Sequence, residues 1–371
     1  MRIAFIIQDL FGRGAEYATA LLVRGFVEKG YDVDLVLSQI HNDKLAEGLK
    51  PFDVPTKTRQ IVLKSRRARY NIRELRHYFK TTDAEAVIVM SVGYESAVLL
   101  ASIGLRKRPR LYTVKHTIDF ALDENFQYRA ADDSWWRKVQ DRIHFSCFDG
   151  VLCVAEGVRQ GVIRYYHLPP GKTFTVYNPA VDTGFLEKVK RAPTHPWLVQ
   201  KNIPTFVTAG AFRPEKNHLM VMEAFRRANE VRPVRLVIYG RGELQVEYVK
   251  FIAEHDLKER ISLPGFTDSL PAEIAASDGF ISSSNLESFG IALVEGLACG
   301  VPVISTDVPC GPREILKDGA YGELVKPNDP QAMADAIVKV AEGNGIHAAD
   351  EAWKRFELPR IVELYENALG R

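Results

Sequence analysis

The chain has 371 residues, of which 46% are hydrophobic and 26% charged, and its formal net charge is +2. This length is long for a single core and fits two α/β domains of ordinary size. The composition is that of a folded globular protein and excludes the disordered and collagenous classes. The four cysteines form no C-x-x-C pair, which argues against a zinc knuckle or a disulfide framework and favours a reducing compartment.

The N-terminal run from Met1 to Leu10 lacks the longer apolar region and the cleavage site of a secretory signal, so we interpret it as a first strand. No window holds the roughly 20 consecutive apolar residues that a membrane-spanning helix needs. We therefore expect a cytoplasmic protein whose membrane contact, if it has one, is peripheral on the cytoplasmic face.

Positive charge is concentrated in the first half of the chain. Residues 1–185 hold 27 Lys/Arg against 21 Asp/Glu, whereas the remainder holds 22 against 26. The excess lies in Lys57 to Lys80 and in Arg106 to Arg110. An exposed surface of this kind attracts anionic lipid or a polyanionic acceptor, and a solvated helix face is the alternative. We do not expect nucleic acid as a partner.

Strand-like apolar runs alternate with helical patterns along the first half. Between the first two runs, Glu16 to Lys29 carries apolar residues on one helical face. The runs are Ile3–Ile7, Val33–Leu37, Ala86–Met90, Leu111–Val114 and Val151–Val154. Such alternation predicts a parallel, doubly wound α/β sheet.

Turn-forming residues then interrupt the pattern at Asn178-Pro179 and at Thr194-His195-Pro196. A second alternating series follows, with runs at Thr205–Thr208, Val234–Tyr239, Ile261–Leu263, Gly279–Ser282 and Val301–Ser305. The sequence thus predicts a first domain over residues 1–180, a linker over 181–200, a second parallel-sheet domain over 201–350 and a terminal helix over 351–371.

Ligands of doubly wound sheets bind at the carboxyl ends of strands, where helix N-termini suit phosphate. Gly12 and Gly14 follow the first strand, but Tyr17 stands where a dinucleotide fingerprint has its third glycine. We interpret this segment as a phosphate- or acceptor-facing loop, and a purely structural turn is the alternative.

The second domain repeats this strand-then-glycine arrangement at Gly210 and at Gly240. Arg213 and Lys216 follow Gly210 and lie three residues apart, a spacing that aims both cations at one diphosphate. We expect a ligand cleft here; the alternatives are two solvated surface charges and an ordinary tight turn.

The sharpest signal runs from Ser282 to Glu295. A strand ends in a polar loop, and a helix starts near Ser288 to Gly290 with its free N–H groups available to a phosphate. Glu287 precedes this helix and Glu295 lies about 12 Å further along it. At that separation the two carboxylates hold different parts of one long ligand and do not form an acid–base pair on one bond.

These residues resemble glycosyltransferase family 4, the retaining enzymes of the GT-B fold, over nearly the whole chain. The stretch from Glu287 to Glu295, continued to Asp307, is similar to the family's E-x7-E signature, and Arg213 and Lys216 precede it as expected. The resemblance implies two doubly wound, parallel-sheet Rossmann-like domains that face each other across a cleft. The first would be the acceptor side, the second would bind the donor, and the final helix would pack back on the first.

The resemblance also implies roles for individual residues. Glu287, Lys216, Arg213 and His116 would be catalytic: the two cations support the departing diphosphate, Glu287 contacts the donor sugar, and His116 reaches that sugar from the first domain. The donor-binding set would be Gly12, Gly14, Gly210, Arg213, Lys216, Gly240, Gly265, Phe266, Glu287, Ser288, Phe289, Gly290, Ile291, Ala292 and Glu295. Within it, Glu295 would bond the ribose, and Gly265 and Phe266 would frame the base.

The activity implied is a retaining transfer of a hexose or N-acetylhexosamine from a nucleotide-diphosphate sugar, with UDP-sugars favoured. The acceptor would be a glycan or a polyprenyl-linked glycan in cell-surface polysaccharide or glycoconjugate synthesis. The segment from Cys310 to Leu316 resembles the version found in family members that build such polysaccharides with UDP-sugars. The nucleotide-sugar is a co-substrate, and we expect no cofactor and no metal. Asp32 and Asp34 form a D-x-D, a pattern that can bind metal. They begin a predicted strand, where we expect solvent-facing carboxylates and not a metal site.

Three other functions stay open. A nucleotide-sugar 2-epimerase shares the two-lobe architecture and would release isomerised sugar without an acceptor. A non-catalytic carbohydrate-binding protein would tolerate the loss of Glu287 and Lys216. A nicotinamide oxidoreductase would need the complete glycine fingerprint and an acidic ribose partner, which the first domain does not supply.

Overall fold

The computed structural model describes residues 1–12, 14–38, 51–91, 93–116, 120–122, 128–130, 135–308 and 310–370. The chain forms two units: unit 1 comprises Met1–Pro179 with Leu358–Arg371, and unit 2 comprises Ala180–Glu357. Each unit is an α/β fold around a parallel sheet, so the predicted fold class is confirmed.

Unit 1 is built on a seven-stranded parallel sheet in the order β3-β2-β1-β4-β5-β8-β9. Its central strands are fully buried because helices pack on both faces of such a sheet. The strands are β1 (Arg2–Ile7), β2 (Asp32–Leu37), β3 (Arg59–Val62), β4 (Ala86–Val89), β5 (Arg110–Lys115), β8 (Gly150–Cys153) and β9 (Thr173–Thr175); β6 (Phe120–Leu122) and β7 (Tyr128–Ala130) pair separately and antiparallel.

The helices of unit 1 follow the strands in alternation. They are α1 (Gly14–Glu28), α2 (Ile72–Thr81), α3 (Glu95–Ser102), α4 (Trp135–Ser146) and α5 (Glu156–Tyr166). The middle of α1 is buried on every side, since Ala18 to Val23 are all buried, and Leu21, Leu22 and Phe26, which the sequence placed on the apolar face, are among the buried residues.

Unit 2 repeats the plan with a six-stranded parallel sheet in the order β12-β11-β10-β13-β14-β15. Its strands are β10 (Thr205–Ala209), β11 (Arg235–Tyr239), β12 (Ile261–Gly265), β13 (Gly279–Ser282), β14 (Val303–Thr306) and β15 (Glu323–Val325). Its helices are α6 (Thr183–Val189), α7 (Pro196–Val199), α8 (His218–Val231), α9 (Gln245–Glu254), α10 (Leu270–Ala275), α11 (Ile291–Ala298), α12 (Pro312–Ile315), α13 (Pro330–Lys339) and α14 (Glu351–Lys354).

The last helix, α15 (Leu358–Ala368), belongs to unit 1 and packs on α1. Contact is close because α1 presents Gly25 at the crossing: a Cβ there would lie 2.6 Å from Val362 Cγ2. The rings of Phe26 and Tyr365 meet edge to face at 6.4 Å. Unit 1 is therefore assembled from both ends of the chain.

The expected boundaries differ from those of the structure in two places. Residues 181–200, expected as a linker, contain α6 and α7 and lie within unit 2, where Phe185 and Leu198 are buried. The terminal segment divides at Leu358, since α14 stays with unit 2 and only α15 returns to unit 1. The turn formers at 178–179 and 194–196 thus mark, respectively, the unit boundary and a turn inside unit 2.

The expectation of two solvent-facing carboxylates in the D-x-D segment is wrong for Asp34. Its side chain is buried and accepts hydrogen bonds from Arg59 Nε at 2.8 Å and from the Tyr78 hydroxyl at 2.7 Å, whereas Asp32 is exposed. The parallel register places Arg59 on β3 opposite Asp34 on β2. A buried charge needs such a partner, so Asp34 anchors the edge strand.

Within the residues that the structure describes, none of the helices combines the length and the apolar character that crossing a bilayer requires.

Candidate active site

In the unit 2 sheet, the strands that follow β10 in sequence are added first on one side of it, as β11 and β12, and then on the other side, beginning with β13. Ligands of open α/β sheets bind outside the carboxyl ends of the strands at such a switch point. The loop after β10 carries Arg213 and Lys216, and the loop after β13 carries Glu287. The structure brings two of these together: Lys216 Nζ donates to Glu287 Oε2 at 2.6 Å. Both side chains are partly exposed, at 29% and 18%, so a ligand can reach them.

Neighbouring contacts hold the two loops in place. The Ser283 hydroxyl donates to the Lys216 carbonyl at 2.8 Å, and the Asn285 N–H donates to the Glu215 carbonyl at 2.9 Å. Arg213 stands just before the short 3₁₀ turn Pro214–Lys216, with 47% of its side chain exposed. Its guanidinium is 3.9 Å from the Glu215 carboxylate, a loose pair that leaves the cation available to a stronger anion.

Asn217 is a site residue that the sequence reasoning missed. It adopts the left-handed conformation, with φ of 48°, at the junction between the 3₁₀ turn and α8. Its side-chain amide donates to Asn285 Oδ1 at 3.0 Å and to Asn328 Oδ1 at 2.9 Å, which connects three loops at the carboxyl edge of the sheet. The sequence did contain a signal for this role, since an asparagine directly follows Lys216 and asparagine adopts the left-handed conformation more readily than most residues.

The N-terminus of α11 faces the same edge of the sheet. Gly290 is its N-cap with φ of 103°, a conformation that favours glycine, and it offers no side chain to satisfy the first N–H groups of the helix. Ser288, Ile291 and Ala292 are half-buried beside it. Phe289 is buried, and its ring packs edge to face against Phe356 at 5.3 Å. This helix start is suited to bind an anion.

Glu295 lies one turn into α11, in surroundings that strip water from its carboxyl group. This desolvation raises its pKa to about 7, against a smaller opposing influence of Lys188. A carboxyl with this pKa is protonated in part of the molecules at neutral pH and can donate a hydrogen bond as well as accept one.

The glycines after β10 and β11 approach each other. A Cβ on Gly240 would lie 1.9 Å from the Gly210 carbonyl oxygen, so Gly240 is required by loop packing whatever it does for a ligand. Gly265 ends β12 beside Arg241, whose Nε would lie 3.4 Å from a Cβ there. Phe266 is 71% exposed, which leaves its ring accessible at this edge.

The predicted residues of unit 1 also lie at the carboxyl ends of strands. Gly12 stands in the loop after β1, where a Cβ would meet no described atom within 4 Å, and Gly14 begins α1. His116 follows β5; desolvation and then the charge of Lys115 lower its pKa to about 4. Its Nε2 is buried and has no hydrogen-bond partner in the described part of the chain.

The chain matches two family models. The model described as Glycosyltransferase Family 4 matches residues 12–184, and the model described as Glycosyl transferases group 1 matches residues 195–355.

Two curated relatives are similar in sequence. The N-acetylgalactosamine-N,N'-diacetylbacillosaminyl-diphospho-undecaprenol 4-alpha-N-acetylgalactosaminyltransferase of Campylobacter jejuni is 27% identical over 201 residues, 54% of this chain and 53% of that protein. The match therefore spans about half of that relative's length. The UDP-Gal:alpha-D-GlcNAc-diphosphoundecaprenol alpha-1,3-galactosyltransferase of Escherichia coli is 24% identical over 84% of this chain and 80% of its own.

Among solved structures, HepE of Anabaena, crystallised with UDP and glucose, superposes with a TM-score of 0.75. The likeness covers 100% of this chain and 99% of that one at 18% sequence identity. The two family matches run in succession along the chain, one over each parallel-sheet unit. The chain belongs to the family 4 glycosyltransferases and has their GT-B fold.

Proposed function

We propose that this protein is a retaining glycosyltransferase that moves a hexose or N-acetylhexosamine from a nucleotide-diphosphate sugar, preferably a UDP-sugar, to a hydroxyl of a glycan or lipid-linked glycan. Family membership supports the reaction class. The names of the Campylobacter and Escherichia relatives support a polyprenyl-diphosphate-linked acceptor in cell-surface polysaccharide or glycoconjugate synthesis. The UDP and glucose in HepE support the choice of donor.

The observation that carries the proposal is the Lys216–Glu287 pair at the carboxyl edge of the unit 2 sheet, on the same edge as the N-terminus of α11. Breaking the bond between the sugar and the diphosphate leaves negative charge on the departing nucleotide. Lys216, Arg213 and the first N–H groups of α11 are groups that stabilise such charge, and fixed positive groups of this kind provide the larger part of transition-state stabilisation in many enzymes. In this proposal they act without a metal ion.

Glu287 has a second role in this proposal. Its carboxylate holds Lys216 before the donor binds, and Ser284 Oγ lies 3.4 Å from the same oxygen. When the diphosphate takes over Lys216, Glu287 is released to accept hydrogen bonds from hydroxyls of the donor sugar. We propose that the acceptor attacks on the face from which the nucleotide departs and that its proton passes to a phosphate oxygen, so that the anomeric configuration is retained.

The remaining predicted residues are proposed to hold the rest of the substrate. Glu295 would hydrogen-bond the ribose, and Gly265 and Phe266 would frame the base. Gly12, Gly14 and His116 would contribute from unit 1. A neutral His116, which its lowered pKa ensures at physiological pH, can bond a sugar hydroxyl without competing with Lys216 for the phosphates.

The test uses the purified full chain with a panel of UDP-, GDP- and ADP-sugars. Thermal stabilisation by each nucleotide identifies the donor class, because a ligand that binds only the folded state raises its stability. Lys216→Ala and Glu287→Ala should each lower transfer, or slow donor hydrolysis, by two or more orders of magnitude while melting close to wild type. Lys250→Ala, an exposed lysine of α9, is the control and should leave activity unchanged.

Product analysis decides between the reaction classes. Released nucleotide with a new glycosidic bond of the donor's anomeric configuration supports retaining transfer. Isomerised free sugar without an acceptor would instead show an epimerase. Binding of sugar with full tolerance of both substitutions would show a non-catalytic protein. Phosphates of bound UDP found away from 213, 216 and 287–292 would also overturn the proposal.

A further inference from the structure

A further cation, Arg241, stands at the carboxyl edge of the unit 2 sheet, in the loop after β11. The strand order places this loop between the loop after β10, which carries Arg213 and Lys216, and the loop after β12, which begins with Phe266. Neighbouring strands are about 4.8 Å apart. The loop of Arg241 is therefore one strand away from the proposed diphosphate site on one side and one strand away from Phe266 on the other.

Close packing fixes the backbone on both sides of Arg241. The Phe212 N–H donates to the Arg241 carbonyl at 2.9 Å. Both neighbours of Arg241 must be glycine, because a Cβ on Gly240 would lie 1.9 Å from the Gly210 carbonyl oxygen and one on Gly242 would lie 2.5 Å from the Phe212 carbonyl oxygen. The side chain of Arg241 therefore starts from a position that is set before any ligand binds.

The guanidinium of Arg241 lies over Gly265, the residue that precedes Phe266. A Cβ on Gly265 would be 3.4 Å from Nε and 3.6 Å from Nη2 of Arg241, and Gly265 itself is left-handed with φ of 87°. Arg241 is exposed, and Phe266 is 71% exposed. Among the residues that the structure describes, no side chain forms a hydrogen bond or an ion pair with this guanidinium. Its N–H donors are therefore available to a ligand.

We propose that Arg241 donates a hydrogen bond to a carbonyl oxygen of the donor's nucleobase and thereby selects uracil or guanine over cytosine or adenine. The arginine side chain has N–H donors and no acceptor. Uracil has a carbonyl where cytosine has an amino group, and guanine differs from adenine in the same way. A carbonyl accepts from the guanidinium, whereas an amino group would set donors against donors. This inference rests on the proposed function, since it requires a nucleotide-diphosphate donor.

A diphosphate is the other ligand that could bind this cation, and the geometry favours the base. The Arg241 side chain runs from β11 to the end of β12, which is away from Lys216 and the loop after β10. The residue that follows Gly265 is an exposed aromatic, Phe266, and a base can stack on such a ring whereas a phosphate cannot. A stacking ring with a fixed donor beside it is suited to bind a planar base and to distinguish its edges.

The experiment measures the dissociation constants of UDP, CDP, GDP and ADP from the purified full chain by isothermal titration calorimetry. UDP and CDP have the same ribose and phosphates, so the ratio of their constants reports contacts to the base, and GDP with ADP does the same for purines. Within the pair that binds more tightly, wild type should prefer the carbonyl base by about tenfold or more. Arg241→Met removes the donors and should lower this preference by about tenfold, because a hydrogen bond to a charged group contributes at least that much. The control Arg191→Met, at an exposed position of unit 2, should leave all four constants unchanged.

Lys216→Ala provides the contrasting pattern, since loss of a phosphate contact should weaken UDP and CDP by the same factor. If Arg241→Met also weakened both by one factor and left their ratio unchanged, Arg241 would bind phosphate, and the inference would be overturned while the proposed function stood. Wild-type binding that does not distinguish UDP from CDP or GDP from ADP would overturn it as well. Failure of all four diphosphates to bind would instead refute the proposed function. Melting temperatures are recorded for every variant and should stay close to wild type, because the substituted side chains of Arg241 and Arg191 are exposed.

Discussion

Replacing Glu295 by glutamine should make unit 2 more stable at alkaline pH. The carboxyl has an ordinary pKa of 4.5, which desolvation raises to about 7 in the folded chain. The folded state therefore binds this proton more tightly than the unfolded state does. The resulting stabilisation is complete below pH 4.5 and is lost as the pH rises to 7. The loss amounts to about 3 kcal/mol at 1.36 kcal/mol per pKa unit.

Glutamine keeps the shape of the side chain but cannot ionise, so Glu295→Gln avoids this loss. For a unit of this size, about 3 kcal/mol corresponds to roughly 6 to 12 °C in melting temperature. We expect the melting temperature of the variant minus that of wild type to be larger at pH 8 than at pH 4.5 by roughly 6 to 12 °C. Calorimetry across this pH range measures the difference, with Glu259→Gln, at an exposed position, as the control.

A constant difference between Glu295→Gln and wild type across the pH range would refute the reasoning, because it would mean that the Glu295 carboxyl is solvated. The expected gain in stability should come with weaker stabilisation by UDP if the proposed ribose contact is correct. Residues that are unfavourable for folding and retained for a ligand are common in functional sites.

Three further substitutions test the packing around the two loops and the last helix. Gly240→Ala should lower stability by more than 2 kcal/mol, seen in calorimetry, because its Cβ would collide with the Gly210 carbonyl at 1.9 Å; a near-neutral effect would contradict that packing. Asn217→Gly keeps the left-handed backbone but removes the amide bridges, so the donor KM should rise several-fold with little change in melting temperature; an unchanged KM would assign the bridges no role. Gly25→Ala should loosen α15 from α1, because its Cβ would lie 2.6 Å from Val362, and hydrogen exchange should quicken in α15 before it does in unit 2.

The alternation of apolar runs was sufficient to predict the class of both sheets. Each of the runs corresponds to a strand within a few residues, and the central strands β1, β4, β10 and β13 are buried over almost their whole length. Burial on both faces makes such strands easy to recognise. The sequence therefore supplied the architecture of each unit.

Within the two parallel sheets, the strands that the sequence reasoning missed are β3, β9 and β15, all at a sheet edge; it also missed the separate pair β6 and β7. Edge strands are short and half-exposed, so they lack the apolar run on which the prediction relied. β3 is held in part by the Arg59–Asp34 pair, whose partners are 25 residues apart and become neighbours only through the β2–β3 register. Long-range pairs of this kind cannot be read from local sequence pattern.

For the candidate site, the sequence assigned the proposed ligand-binding residues to particular loops but did not predict how those loops are connected. Lys216 and Glu287 were both expected, and the structure adds the direct bond between them. The role of Asn217 depends on Asn285 and Asn328, which come from distant loops. Gly240 also has to be glycine because it packs against the Gly210 carbonyl. The position of a glycine in the sequence does not show whether packing or ligand binding requires it.

The return of α15 to unit 1 has a consequence for folding. Unit 2 is continuous in sequence over residues 180–357, whereas unit 1 combines residues that precede unit 2 with residues that follow it. The contact between α1 and α15 therefore closes a loop that contains the whole of unit 2, and closing a loop of that length costs conformational entropy. Until that contact forms, the part of α1 that α15 covers is open to water.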